Sequence, residues 1–266
     1  MWRILNKSTP AHAWIIGLVF VGFASQSEAD SFDYAPLNRV LGRVVNTQGG
    51  VDYEAAKTDT DLQAFVDQLA RISPDTHPAL FSTPADSLAF WINAYNACVL
   101  TGVSKAYPVS SVTEIAPLFG FFKIYRFVVG GRRVTLDHIE HEIIRKQFAD
   151  PRIHAAINCA AVSCPRLLNE AFTPDKLDDQ LNLVMRDMIR NPMHVQINRE
   201  TKVVSLSAIF DWFASDFTSY VQAREAGETV LDYVSLFLLK DDILYLQNHP
   251  DLQIVFLDYD WSLNSQ

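Results

Sequence analysis

Two cysteines that lie close together in the sequence, Cys159 and Cys164, are the residues of this 266-residue chain best suited to chemistry. Pro165 follows Cys164, and proline is typical of the first position of a helix. We therefore expect Cys164 at a helix N-terminus, where free N–H groups and the helix dipole lower the pKa of a thiol. His141 and His154 are the candidates for its base. The pattern predicts a hydrolase of amide or similar acyl bonds with Cys164 as nucleophile.

The same two cysteines could form a disulfide instead. A bridge over so short a loop stabilises a protein by about 2 kcal/mol in an oxidising compartment. The chain would then be a non-catalytic binding or envelope-assembly module. A zinc site that combines both cysteines with His138 and His141 is a third possibility, although the CxxxxC spacing is loose for zinc. We predict neither a metal nor another cofactor.

Glu140 lies within a helix that we predict over residues 136–148. Counted at about 100° per residue, Glu140 falls inside the apolar face and His141 lies at its edge, whereas His138 and Arg145 point to the opposite side. A carboxylate on a packed face must be paired, hydrogen-bonded or neutralised. Glu140 either anchors the structure by binding an arginine or a helix N-terminus, or belongs to a catalytic site in which it orients the base.

Further polar residues could contact a substrate. Asn93 and Asn96 lie three positions apart in a segment that is apolar on nearly every side. Buried amides need partners for their donors and acceptors, so these two residues either line a cleft or only hold a neighbouring loop. Arg152 could bind a substrate carboxylate through two parallel hydrogen bonds. With Cys159, these residues form the predicted substrate-binding set.

The elements that must position these residues predict an α+β fold in a single domain, with a central buried helix packed on a mainly antiparallel sheet. Strands and helices alternate irregularly, and several strands pair as hairpins. We expect helices at residues 59–71, 84–105, 136–148, 173–190, 207–213 and 228–239. We expect hairpins over residues 123–135 and 194–206, a short buried strand at 153–157 and a closing strand at 252–257.

Composition indicates a globular protein that does not bind nucleic acid. Hydrophobic residues make up 49% of the chain, which is ample for a core, and charged residues make up 20%. The net charge of -9 and the pI of about 5.2 argue against a nucleic-acid binder, which would need a basic face. We expect a small-molecule or peptide substrate, or an envelope protein, as the partner.

The N-terminal residues 1–29 have the pattern of a signal peptide. Arg3 and Lys7 precede an apolar run at residues 13–24, and small residues precede the predicted cleavage site. The run is short for a membrane span. We therefore expect a periplasmic or secreted protein that starts near Asp30 and keeps no stable membrane span after processing; an uncleaved N-terminal anchor is the alternative.

Five ordered motifs resemble those of the family catalogued as domain of unknown function 547 (DUF547). They are FWINAYN (90–96), LDHIEH (136–141), DPRIH (150–154), NCAAVSCP (158–165) and YDWSLN (259–264). The resemblance runs from about residue 52 to residue 264. The family usually has glycine where this chain has Glu142 and Ala160, and it often has an aliphatic residue at Cys98. The resemblance therefore implies that Cys98 is a packed residue, but it implies no established activity. A papain- or transglutaminase-like arrangement is suggested only by analogy of fold.

Overall fold

The structure is a computed structural model that describes residues 31–266, in which helices dominate over strands. The signal peptide predicted over residues 1–29 lies outside the described residues. The α-helices are α1 (Ala35–Val44), α2 (Tyr53–Lys57), α3 (Thr60–Arg71), α4 (Pro84–Ala106), α5 (Gly120–Lys123), α6 (Arg145–Phe148), α7 (Leu177–Arg190), α8 (Ala208–Trp212), α9 (Ala214–Gln222), α10 (Val230–Ser235) and α11 (Lys240–Asn248). A π-helix (His138–Ile144) runs directly into α6, and short 3-10 helices occupy Pro78–Leu80, Val112–Glu114 and Pro151–Ala155. The strands are β1 (Phe127–Val129), β2 (Arg132–Val134), β3 (Val195–Asn198), β4 (Val203–Ser207) and β5 (Gln253–Leu257).

Helix α4 is the centre of the core, as its composition predicts. A capping box starts it, because the Thr83 N–H donates to the Asp86 carboxylate (2.7 Å) and the Asp86 N–H donates to the Thr83 hydroxyl (3.2 Å). Every residue from Leu88 to Ser104 is buried. The main neighbours of α4 are α2, α3 and the π-helix. The predicted α+β class with a central buried helix is thus confirmed, and helices rather than strands are the main neighbours of α4.

Both predicted hairpins are present. Strands β1 and β2 are antiparallel and turn at Gly130 and Gly131, which both have positive φ. The N–H groups of these two glycines donate to the carbonyls of Leu69 and Ala70 at the end of α3, at 2.8 and 2.7 Å. Strand β4 pairs with β3 in antiparallel and with β5 in parallel orientation. The predicted closing strand is therefore also present.

Two local predictions are wrong. Residues 153–157 do not form a strand, because Asp150 accepts the Arg152 N–H (3.0 Å) and starts the 3-10 helix Pro151–Ala155 instead. No helix begins at Pro165, because the chain continues without regular structure until α7. Cys164 lies in a turn, where its N–H donates to the Ala161 carbonyl at 3.0 Å. The helix N-terminus predicted at Cys164 is therefore absent.

The two asparagines of α4 hold the loops that pack on this helix. Asn96 donates to the Ala156 carbonyl (2.9 Å) and accepts the Asn158 N–H (2.8 Å). Asn93 donates to the Phe172 carbonyl (2.7 Å) and accepts the N–H of the same residue (3.0 Å). Both side chains are buried, and their polar groups are used by the backbone. This geometry corresponds to the loop-holding alternative for both residues.

Replacing Asn96 should therefore destabilise the protein strongly. Asn96→Ala leaves a buried carbonyl and a buried N–H without partners, and we expect it to lower the free energy of unfolding by about 2–3 kcal/mol in urea denaturation. Gln63→Ala is the control, since it removes only an exposed hydrogen bond to Asp67 and should cost less than about 0.5 kcal/mol. Equal effects of the two substitutions would contradict this role of Asn96.

Candidate functional site

A cavity of about 440 Å³ brings together most of the side chains that the sequence singles out. Cys159, Cys164, Glu140, His141 and His154 all line it. Six aromatic residues, which we call the aromatic wall, form much of the remaining lining: Phe119, Phe122, Trp212, Phe213, Tyr259 and Trp261. The predicted site residues Asn93, Asn96 and Arg152 are not part of this lining.

The two cysteines at the cavity are joined by a disulfide, with their Cα atoms 6.3 Å apart. The predicted bridge is therefore present. The Tyr259 hydroxyl lies 3.1 Å from the Cys159 sulfur and 3.2 Å from the Cys164 sulfur, and the Cys159 N–H donates to the Cys164 sulfur at 3.0 Å. Cys98 is free and buried, and burial raises the pKa of its thiol to about 12. In this oxidised state Cys164 has no thiolate with which to attack a substrate.

Arg145 lies at the cavity beside Glu140 and His141, although the helical count places it on the opposite side. The π-helix is the reason. In its last turn the Arg145 N–H donates to the carbonyl of Glu140, which lies five residues earlier instead of the four of an α-helix. Side-chain directions counted at 100° per residue are therefore not valid across this turn. The prediction for Arg145 is therefore wrong.

Asp216 of α9 binds Arg145 and His154 together. The Arg145 guanidinium donates to both Asp216 oxygens, from Nε at 2.7 Å and from Nη2 at 2.8 Å. Nε2 of His154 lies 2.9 Å from the same carboxylate. The Phe213 ring stacks on the His154 ring, with the ring centres 3.9 Å apart. The Arg145 guanidinium carbon lies 4.9 Å from the centre of the Phe213 ring. Asp216 thus neutralises the arginine and fixes the histidine. No sequence motif pointed to it.

These contacts also determine how the two imidazoles are protonated. A carboxylate only accepts hydrogen bonds, so Nε2 of His154 carries a proton. Arginine only donates, so Nδ1 of His141 accepts from Arg145 at 3.0 Å, and its proton is on Nε2, 3.7 Å from Asp137. Burial lowers the pKa of both histidines. No hydrogen bond within residues 31–266 joins either ring to a cysteine sulfur, so the expected Cys–His pairing is not formed in this state.

Glu140 is a carboxyl group at the cavity to which no cation is bound. No salt bridge of the described part of the chain includes it; the nearby Arg145 is already bound to Asp216. Burial raises the pKa of Glu140 to about 7, while Arg145 and the Tyr95 hydroxyl act in the opposite direction more weakly. The alternative in which Glu140 anchors the structure by binding an arginine is therefore not what the structure shows.

Arg152 is a structural clamp rather than a cavity residue. Its guanidinium donates to Asp150 at 2.7 Å, to Asp178 at 2.7 Å and to Asn182 at 2.9 Å. Only 14% of the side chain is exposed. These contacts use the donors that a substrate carboxylate would need, so the structure places Arg152 between the 3-10 helix and α7.

Residues 81–189 match a family model that is described as protein of unknown function, DUF547. The resemblance drawn from the motifs is thereby confirmed over this segment, which contains four of the five motifs; the fifth, at residues 259–264, lies beyond it. No curated protein and no solved structure matches the chain. No helix within residues 31–266 combines the length and the apolar character that crossing a bilayer requires.

Glu140→Gln should stabilise the protein at high pH. Between the ordinary pKa of 4.5 and the folded-state pKa of about 7, the folded protein holds a proton that the unfolded chain releases. Stability due to this group is therefore lost as the pH rises through that window. Glutamine does not titrate, so we expect the variant to unfold with about 3 kcal/mol more free energy than wild type at pH 8 and with a similar free energy at pH 4.

Glu142→Gln is the matched control, because Glu142 is exposed and paired with Lys146. Its pKa is lowered rather than raised, chiefly by the hydrogen bond from Lys146. Urea denaturation at both pH values measures the comparison. A difference between Glu140→Gln and wild type that does not change with pH would show that Glu140 is an ordinary carboxylate.

Proposed function

We propose that this chain, whose residues 81–189 belong to the DUF547 family, is an exported protein that binds a small molecule or a short peptide in the cavity. The observation that carries the proposal is the aromatic wall, which faces a small set of fixed polar groups in one cavity of about 440 Å³. Ligand sites in proteins have this composition, with apolar walls and a few polar groups that orient the ligand.

The exposed rings of the aromatic wall are the source of binding energy. Trp212 and Phe119 have 49% and 39% of their surface exposed, although both line the cavity. Trp212 stacks on Trp261, with the ring centres 6.0 Å apart. A ligand that covers these faces removes apolar surface from water, which contributes about 25 cal/mol per Å².

The bridge supports both the binding function and the compartment. A disulfide persists in oxidising compartments, which agrees with the signal peptide predicted over residues 1–29 and with a periplasmic or secreted protein. In the bridged state the cavity keeps its shape on the side of the sulfurs, since Cys159, Cys164 and Tyr259 contact one another there. A non-catalytic binding module needs nothing further from these cysteines.

A second candidate function is a cysteine-dependent hydrolase that acts after reduction of the bridge. The observation in its favour is that the Cys164 sulfur accepts hydrogen bonds from the Cys159 N–H and the Tyr259 hydroxyl, and such donors stabilise a thiolate. The thiolate would attack an acyl carbon, the amine would leave with a proton from His141 or His154, and water would release the acid and restore the thiol.

Binding is tested with the neutral probe N-phenyl-1-naphthylamine, whose fluorescence rises in apolar sites. We expect saturable 1:1 binding to the oxidised protein and roughly tenfold weaker binding by Trp212→Ala, because the variant removes a large ring from the wall. Leu239→Ala is the control, since Leu239 is equally apolar and exposed but lies outside the cavity lining. Absence of saturable binding, or equal affinity of the two variants, would contradict the proposal.

The two candidate functions differ in what reduction does. In the binding module, iodoacetamide labels Cys159 and Cys164 only after reduction, and an acyl-peptide p-nitroanilide is hydrolysed in neither state. In the hydrolase, reduction starts hydrolysis, Cys164→Ser abolishes it and Cys159→Ser retains it. Labelling mapped by mass spectrometry, followed by the rate of nitroaniline release, measures both.

A further inference from the structure

We propose that the cavity recognises a ligand with a cationic ammonium group, which lies between the aromatic wall and the carboxyl groups of Asp137 and Glu140. This inference rests on the binding function proposed above and names the chemical class of the ligand. The inference depends on one contrast: the arginine at the cavity is already paired, whereas two carboxyl groups there are not.

The guanidinium of Arg145, which lines the cavity, is not available to bind an anionic ligand. Arg145 uses Nε and Nη2 for Asp216, and Nη1 for Nδ1 of His141. Asp216 also binds His154, so the charges of Arg145 and Asp216 cancel within one network. An anionic ligand would have to break a two-point ion pair to reach Arg145.

Two carboxyl groups remain without a strong partner. Asp137 and Glu140 both line the cavity. The ring of His141 approaches Asp137 with Nε2 at 3.7 Å, but this imidazole is neutral when its Nδ1 accepts from Arg145, and Glu140 has no salt bridge among residues 31–266. A carboxylate that loses water without gaining a cation is costly. A ligand cation at this position would supply the missing charge.

The aromatic wall fits the same ligand class. A cation is attracted to the face of an aromatic ring, and tryptophan and tyrosine are the strongest partners. Trp212, Tyr259 and Trp261 contribute such rings, with Tyr259 4.8 Å from Trp212 and 4.6 Å from Trp261 between ring centres. Lys123 is the lysine of the cavity lining and is exposed. Because Lys123 is exposed, water and salt screen its charge.

The groups around Glu140 predict that binding of a cation is coupled to release of a proton. Tyr95 faces it from α4, Asp137 and Arg145 face it from its own helix, and Asp216 approaches from α9. The neighbouring Tyr259 has a pKa raised by burial. Since the pKa of Glu140 is raised to about 7, a cation that favours its charged form binds more tightly as the pH rises through this value.

The test uses calorimetric titration of the full oxidised protein with three probes of one aromatic body: benzyltrimethylammonium, benzyl alcohol and benzoate. We expect benzyltrimethylammonium to bind most tightly, with an affinity that rises roughly tenfold from pH 6 to pH 8 as Glu140 ionises. Glu140→Gln should weaken its binding at pH 8 and remove the pH dependence. Glu142→Gln, which changes a carboxylate outside the cavity, should behave as wild type.

Three outcomes would overturn this inference. Binding of benzoate tighter than that of benzyltrimethylammonium would show an anion site, and equal binding of all three probes would show a purely apolar one. An unchanged pH dependence in Glu140→Gln would assign the coupling to another group. In each of these cases, saturable binding of N-phenyl-1-naphthylamine would leave the binding function standing, whereas its absence would overturn both proposals.

Discussion

The ion pair between Arg145 and Asp216 is the interaction on which the cavity depends. It joins Arg145, the first residue of α6 after the π-helix, to α9 through two hydrogen bonds of 2.7 and 2.8 Å, and the same carboxylate holds His154 in place. Both side chains are about one quarter exposed, so water screens the attraction between them only in part. The pair exists because the π-helix turns Arg145 toward the cavity.

This pairing decides the electrostatics of everything around it. Asp216 neutralises Arg145, so this arginine does little to stabilise the charged form of Glu140. The burial of Glu140 therefore dominates and raises the pKa of its carboxyl group. The imidazoles of His141 and His154 are likewise committed to Arg145 and Asp216 rather than to the sulfurs. The unpaired carboxyl, the aromatic wall and the closed disulfide are the features on which the proposed ligand binding rests.

The sequence predicts the parts of this account that depend on local patterns. Helix α4 was predictable because it is apolar on nearly every side. The motifs around residues 136–165 placed Glu140, His141, His154 and both cysteines in one predicted site, and these residues line one cavity. Arg145 was misplaced, because a helical count cannot detect a π-helix. Asp216, Trp212 and Phe213 were missed, since they lie in no motif and reach the cavity only through tertiary packing. The bridge remained one of several alternatives, because cysteine spacing does not fix the oxidation state.

The most direct test of the account is the pKa of the Glu140 carboxyl, measured by carbon-13 NMR in the oxidised wild-type protein and in Asp216→Asn. We expect a pKa of about 7 in wild type. We expect a clearly lower pKa in the variant, because Asp216→Asn removes a negative charge and leaves the charge of Arg145 to stabilise the Glu140 carboxylate. A wild-type pKa near the ordinary value of 4.5, or a value that is the same in both proteins, would contradict it.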